Sequence, residues 1–374
     1  MNGTNEPSAV SVIVPTFNRA GLLRQTLECL RRQTLLECEF LLVDDGSGTS
    51  TIGLLEQTCR EDQRFRIVGK PRGLPRGCQS SKNHAISEIQ GRYVVFLDSD
   101  DLLAPDCLRS RALFLDEYPD VDIAVGQQAV LQESSGEVRW VNSETMDGND
   151  LDRFLNLTHP LDIPWVNGAV AIRACALRRE GIGYRPEFRW EDAAFHIECL
   201  SMGLRAAWMP RSRFPDSFYR IHGRSMGSDL WTQDGIENCA RMLLWIRSLL
   251  EDHGLLSAYR LSIIRRNYFH LAILRAIDAR MKNLASESIS QGTPLFATDE
   301  IELFERFSKF RSLTSWSSRL TWHVNQGIRR RFPGFFPNVE ESWGSIPCNQ
   351  LPELDSVCSI IPCYRPAFET ILEE

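Results

Sequence analysis

Short apolar runs and helix-spaced apolar residues take turns along the first hundred positions of the chain. "VSVIVP" from Val10 and "FLLVDD" from Phe40 are almost continuously apolar, which predicts strands buried on both faces. Between them Leu22, Leu23, Thr26, Leu27 and Leu30 recur at helical spacing. A helix-like run follows near Ile52 to Cys59, then a strand at "FRIV", a helix around Ser80 to Ile89 and a strand at "YVVFL". Strand and helix in alternation predict a mostly parallel α/β sheet with helices on both faces. Ligands in such sheets bind beyond the carboxyl ends of the strands. Thr16, Asp44, Asp45, Asp98, Asp100 and Asp101 all fall at those ends.

After Pro105 the pattern loosens. It predicts a helix to about Tyr118, a strand at "DIAVG", a hairpin of "AVLQ" and "EVRWV" around "SSG", and strands at "WVNGAVAI", "RAAWM" and "DSFYRIH". Glu191 and Asp192 open a helix that Gly203 ends, so Asp192 lies in a first helical turn. From Trp231 to about Leu284 the spacing of Met242, Leu243, Trp245, Ile246, Leu249 and Leu250 predicts two or three appended helices.

Composition narrows the class. The chain of 374 residues is 43% hydrophobic and 24% charged, ordinary for a soluble globular protein of about two domains. A net charge of −7 argues against a general nucleic-acid binder. The 11 cysteines show no C-x-x-C pair, which reads as reduced thiols in a cytoplasm. With no signal-like start and no apolar run of about 18 residues, the expectation is a cytoplasmic protein, peripheral at most to the inner face of a membrane. From Arg306 to Phe336 seven Lys or Arg occur with no acid, interleaved with Trp316, Trp322, Phe332, Phe335 and Phe336. That stretch reads either as an interfacial helix on anionic lipid or as a solvated helix with its aromatics in a core. Near the end, "VCSIIPCYRP" from Val357 repeats "VSVIVPTFNR" from Val10, as the truncated start of a second copy would.

The chemistry concentrates in "VVFLDSDD". Asp98, Asp100 and Asp101 in one turn repel unless a cation sits among them. Asp-x-Asp places two carboxylates on one side of a turn, suited to a Mg²⁺ or Mn²⁺ that neutralises a leaving diphosphate. A carboxylate at a helix start, such as Asp192, is held ionised by the helix dipole.

Six segments occur in order: "VSVIVPTFNRAGLLRQTLECLRRQT", "LLVDDGS", "SSKNHAI", "GRYVVFLDSDD", "WEDAAFHIECLSMG" and "YRIHGRS". Together they resemble glycosyltransferase family 2, the inverting, metal-dependent enzymes on the Rossmann-like GT-A fold. The resemblance implies a GT-A domain over 1–228, with a nucleotide-sugar half to about 105 and an acceptor half from 106 to 228. A helical region over 229–345 and the repeat-like tail 346–374 would follow. It further implies metal ligation by Asp100, with Asp98 near the ribose or reaching the metal through water, and His222 as an imidazole ligand. Pro15, Thr16 and Phe17 would floor a base pocket in which Asp44 or Asp45 accepts from uracil N3. Ser81, Lys82 and Asn83 stand where the family has Ala-Arg-Asn, and Lys82 lacks the planar fork for bidentate phosphate contact. Asp192 would be the general base, with Glu191 orienting the site or binding acceptor. Trp165, Asn167, Gly168 and Trp190 fall where the acceptor wall would lie.

The expected activity is therefore transfer of a sugar from a nucleotide-diphosphate sugar, a UDP-sugar first, to a hydroxyl of a glycan or lipid-linked acceptor in polysaccharide or cell-envelope glycan synthesis. A polyprenyl-phosphate acceptor is the alternative, although an ionised phosphate needs no base. A non-catalytic nucleotide-binding or scaffold relic of a tandem enzyme is another, against which the joint presence of Asp98, Asp100 and Asp192 argues.

Overall fold

The most continuous apolar runs form the centre of a sheet. The computed structural model describes residues 9–71, 73–141, 150–156, 164–212, 214–223, 232–274 and 282–296, with 276, 298 and 301. The basic stretch 306–336 and the repeat-like tail 346–374 lie outside the described residues. These residues divide into two compact units, one taking in 9–154 and 164–223, the other 155–156 and 232–296.

In the first unit β1 (Val10–Thr16) is buried at all seven positions. It pairs in parallel with β2 (Cys38–Asp44) on one side and β4 (Tyr93–Phe96) on the other, and β3 (Phe65–Gly69) lies parallel to β2. The sheet has seven strands, ordered β10-β6-β9-β4-β1-β2-β3, where β6 is Ile123–Val125, β9 Val170–Arg173 and β10 Ala206–Trp208. Only β9 runs against its neighbours β4 and β6. A strand buried on both faces needs no polar alternation, which explains why the sequence pattern of β1 and β2 is so plain.

The flanking helices show their apolar faces in the sequence. α1 (Ala20–Arg31) buries Leu23, Thr26, Leu27 and Leu30, and α2 (Thr49–Glu61) buries Thr51, Leu54, Leu55 and Thr58. α3 (Cys78–Ile86) and α4 (Cys107–Glu117) follow β3 and the acidic turn. Two short helices, α5 (Asp150–Leu155) and α6 (Ala174–Glu180), were not expected from the periodicity. α7 (Glu191–Ser201) is buried almost all round, and Gly203 beyond it takes φ +86°, the left-handed conformation that ends helices.

A second, four-stranded sheet brings the far end of the unit back to the acidic turn. Its order is β5-β11-β7-β8, with β5 Leu102–Leu103, β7 Gln128–Gln132, β8 Val138–Val141 and β11 Ser217–Ile221. β5, only two residues long, pairs antiparallel with Ser217 and Phe218 of β11. It lies directly after Asp101, so the acidic turn and β11 are stapled together.

In the second unit, α8 (Gln233–Asp252) is capped by the Thr232 hydroxyl and α9 (Ala258–Tyr268) by that of Ser257. α9 runs on as a π-helical stretch, Phe269–Leu274, and α10 spans Lys282–Gln291. Tyr268 OH donates to the Ser288 carbonyl at 2.9 Å. Among the described residues no helix is long and apolar enough to cross a membrane.

Gly91, just before β4, has no room for a side chain. A Cβ there would stand 2.6 Å from Ser11 N and 2.8 Å from Ser11 Oγ, the atom to which Gly91 N–H donates. Gly91→Ala is expected to lower unfolding free energy in urea by about 1–3 kcal/mol, the range for overpacking. A loss below about 0.5 kcal/mol would mean that the end of β1 yields.

Candidate active site

Every candidate site residue of the first unit hangs from the carboxyl ends of β1, β2 and β4 or from the elements facing them. Thr16 and Asp44 are register partners at the ends of β1 and β2. The two aspartates that close β2 differ in what they do. Asp44 accepts from Gly46 N at 2.9 Å and Ser47 N at 3.0 Å, so its carboxylate is spent on the Asp-Gly-Ser turn. Asp45 faces Lys70 Nζ at 2.5 Å and accepts from Gly77 N at 2.7 Å. Asn18, left-handed at φ 49°, stitches the two loops by accepting from Gly48 N at 2.8 Å and donating its own N–H to Ser47 Oγ at 2.9 Å. Pro15 and Thr16 are buried, Thr16 Oγ1 has no partner among the described residues, and Phe17 is 47% exposed.

The acidic turn sorts its three carboxylates by partner. Asp101 is buried and accepts from Arg220 N–H on β11 at 2.9 Å. Burial, then the neighbouring Asp100 and Asp98, push its proton affinity well above the usual carboxylate range. Asp100 meets His222 Nε2 at 2.8 Å and also pairs with the Arg19 guanidinium at the start of α1. Asp98 does not join that pair, and its Oδ1 lies 3.1 Å from Lys82 Nζ. Among the described residues no three His, Cys, Asp or Glu side chains gather as a metal site. The expected trio of Asp98, Asp100 and His222 is thus resolved into a pair, Asp100 with His222, and a separate Asp98.

Lys82 departs furthest from expectation. The sequence suggested a phosphate contact at a helix start, yet its side chain is 0% exposed. Its Nζ also lies 3.7 Å from Asp192 Oδ1, 3.9 Å from Glu191 Oε1 and 4.8 Å from the centre of the Tyr184 ring. Burial pulls the ammonium's proton affinity down, but Asp98 and Asp192 outweigh it and hold it well above the ordinary lysine range. Asn83, expected to touch donor, uses both amide atoms on Tyr184, accepting from its N–H at 2.6 Å and donating to its carbonyl at 2.7 Å. It fixes the loop before α7 instead.

At the start of α7, burial raises the proton affinity of both acids against the helix dipole. Glu191 goes up to about 7, chiefly by desolvation and then by Asp192, with Lys82 opposing. Asp192 goes up to about 6, by desolvation and Asp98, again opposed by Lys82. Asn167 holds Asp192 from the far side, through its Nδ2 and through its N–H at 3.3 Å. The Asn167 carbonyl oxygen of the amide in turn accepts from Tyr184 OH at 2.6 Å, and the Tyr184 ring stacks on Phe195 at 4.2 Å. Cys78 at the start of α3 puts its thiol 3.3 Å from Glu191 Oε1.

The expected acceptor wall is mostly interior. Trp165, 1% exposed, packs edge-on to Phe154 at 4.7 Å and Trp208 at 5.6 Å and offers no face to a ligand. Gly168 is buried, and its carbonyl accepts from Arg111 Nη1 at 2.8 Å. Arg111 is itself clamped at two points by Asp216, both at 3.0 Å. Trp190 precedes α7 and is half-buried, the one member of this set with an open side.

Residues 11–181 match the Glycosyl transferase family 2 model. TuaG of Bacillus subtilis, named a putative teichuronic acid biosynthesis glycosyltransferase, is 28% identical over 61% of this chain and 85% of its own. Over residues 11–181 the chain is a glycosyltransferase family 2 domain. Uncharacterized glycosyltransferases of Rickettsia bellii and Rickettsia felis are each 31% identical over 44% of this chain, which spans only 23% and 26% of their lengths. Among solved structures, S. aureus TarS 1–349 in complex with UDP-GlcNAc superposes with a TM-score of 0.60 at 16% identity, covering 81% of this chain and 88% of that one. That likeness is one of fold, and the fold is the GT-A arrangement of this family 2 glycosyltransferase.

Within this unit one buried imidazole has no hydrogen-bond partner among the described residues. His196, one turn beyond Asp192, is 0% exposed, neither ring nitrogen has a partner among the described residues, and burial lowers its proton affinity to about 3. It is a neutral ring among Phe154, Trp165 and Phe195. His196→Phe is expected to leave unfolding free energy unchanged or to raise it by about 1–3 kcal/mol, because it removes unsatisfied polar atoms. A drop of more than about 2 kcal/mol in denaturant titration would mean that the imidazole has a partner.

Proposed function

We propose that the protein transfers a sugar, with inversion, from a UDP-sugar to a hydroxyl of a glycan or lipid-linked acceptor in polysaccharide or cell-envelope glycan synthesis. The observation that carries this is the distance between the two halves of the chemistry: Asp98, at the donor end of β4, and Asp192, at the start of α7, share one buried ammonium. TuaG's name and the UDP-GlcNAc bound to TarS support the class of pathway and of donor.

Asp45, which faces Lys70 and Gly77 N–H while Asp44 closes the turn, is the acceptor assigned to a base imide N–H, with Pro15, Thr16 and Phe17 beside it. One carboxylate and one imidazole, Asp100 and His222, suit Mn²⁺ or Mg²⁺, which bind through one or two protein groups with diphosphate oxygens completing the shell. The donor set fits, and Arg19 beside Asp100 supplies positive charge at the same place. Such an ion would neutralise the charge that develops on the leaving diphosphate.

On the acceptor side Asp192 takes the proton. As the acceptor oxygen bonds to the anomeric carbon, the bond to the diphosphate breaks, its electron pair leaves with the diphosphate, and the hydroxyl proton passes to Asp192. Asn167 and Lys82 fix which oxygen is presented. A proton affinity raised to about 6 makes Asp192 a stronger base than an exposed aspartate while leaving it ionised at neutral pH. That need for a base favours a hydroxyl over a polyprenyl phosphate.

Asp192→Asn is expected to lower turnover by about 10²–10⁴, while stabilisation by UDP with Mn²⁺ in a thermal-shift titration persists. Unchanged turnover would remove Asp192 from the reaction. For the intact enzyme, protonation silences the base, so kcat/KM is expected to fall as pH drops through about 6. A profile flat to pH 4 would contradict the assignment. Asp100→Ala should abolish the Mn²⁺-dependent part of the UDP stabilisation, and its persistence would place the cation elsewhere.

A further inference from the structure

A buried lysine that touches no solvent cannot be a simple phosphate hook. Lys82 Nζ has no exposed surface and is ringed by Asp98, Asp192 and Glu191 at 3.1, 3.7 and 3.9 Å, with the Tyr184 ring beneath it. An uncompensated ammonium is far too costly to bury, so the carboxylates hold it as firmly as it holds them. Three acids share one base, which leaves an excess of negative charge around a fully buried ammonium.

We propose that Lys82 is a positioning residue of the transfer reaction, whose ammonium keeps Asp192 ionised and aimed while anchoring Asp98, and which acts through these carboxylates without contacting the donor. The inference rests on Asp192 as the proton acceptor. The alternatives are distinct: a donor ligand would govern nucleotide affinity, and a purely structural lysine would govern stability.

The surroundings of Asp192 decide the direction of the effect. Glu191 precedes it on α7, and His196, one turn on, is neutral. From the turn after β4, Asp98 raises its proton affinity. Tyr184 from the loop before α7 and Tyr219 from β11 also feel its charge, and both are themselves pushed far up by burial, so they stay neutral. Cys78, on α3, faces Glu191 and is likewise a neutral thiol. Asn167 donates but carries no charge. Among these described groups Lys82 supplies the positive charge against Asp192, so removing it should raise the midpoint of Asp192, and keeping the charge should preserve it.

The test titrates the carboxyl itself. The full chain is labelled with ¹³C at the aspartate carboxyl carbon, the Asp192 resonance is assigned by its loss in Asp192→Asn, and its midpoint is followed with pH in wild type, Lys82→Met and Lys82→Arg. Lys82→Met is expected to move the midpoint up by about one to three pH units, the effect of an opposite charge at this range. Lys82→Arg should stay within about half a unit of wild type. Apparent affinity for UDP with Mn²⁺ should change by less than about threefold in Lys82→Met, measured by thermal shift. An unmoved Asp192 midpoint in folded Lys82→Met overturns the proposal, as does loss of UDP stabilisation with the midpoint in place. If Lys82→Met does not fold, Lys82→Gln decides in its place: its Asp192 midpoint must rise, and a midpoint that stays where it is in wild type overturns the proposal. Failure of wild type to bind UDP would sink the donor reading alone, because the resonance reports on the carboxyl whether or not any sugar moves.

Discussion

The active end of this unit depends on finding a hydrogen-bond donor or a cation for each carboxylate that the fold drives out of water. Asp98, Asp100, Asp101, Glu191 and Asp192 crowd one rim, and three of them are shifted upward by burial. Lys82 answers Asp98 and Asp192, Arg19 and His222 answer Asp100, and a backbone N–H of β11 answers Asp101. Each partner comes from a different element, so the rim assembles only when α1, α3, α7 and β11 are all in place. Electrostatic repair and tertiary structure are here the same event.

Much of this was legible because burial leaves a plain mark on a sequence. β1, β2 and β4 are almost continuously apolar, and the acids that close or follow them stand out by contrast. The family pattern places Asn167 on an acceptor wall and carries no sign of its hydrogen bonds to Asp192. What could not be read were single cations that matter through distant contacts. Arg19 lies 81 residues from Asp100 and Lys70 lies 25 from Asp45, and neither carries a motif. Lys82 misled because α3 looks polar: Ser80, Ser81 and Lys82 are the residues it buries, so hydrophobic spacing points the wrong way. Position in the family pattern put Trp165 on an acceptor wall, but its ring fills space between Phe154 and Trp208. The two adjacent aspartates closing β2 were equivalent on paper, and only turn geometry separates them.

The surroundings of Asp192 are built more stiffly than their loops would suggest. Arg111, fully buried on α4, ties Asp216 before β11 to the carbonyl of Gly168, while Asn83 on α3 grips both backbone groups of Tyr184. A charged clamp and an amide clamp therefore bracket Asn167 and the start of α7. Such support fixes the rotamers of Asn167 and Asp192, which is what separates a site of the right composition from one of the right geometry.

The two-residue strand β5 has a consequence of its own. Asp100 and His222 are 122 positions apart, yet pairing of Leu102 and Leu103 with Ser217 and Phe218 makes them near neighbours. The entropy of closing so long a loop is charged to the folding of a small sheet, so the carboxylate and the imidazole meet without that cost being met a second time. Loosening that short ladder would act as dilution, lowering the effective concentration of one side chain about the other while leaving both chemically intact.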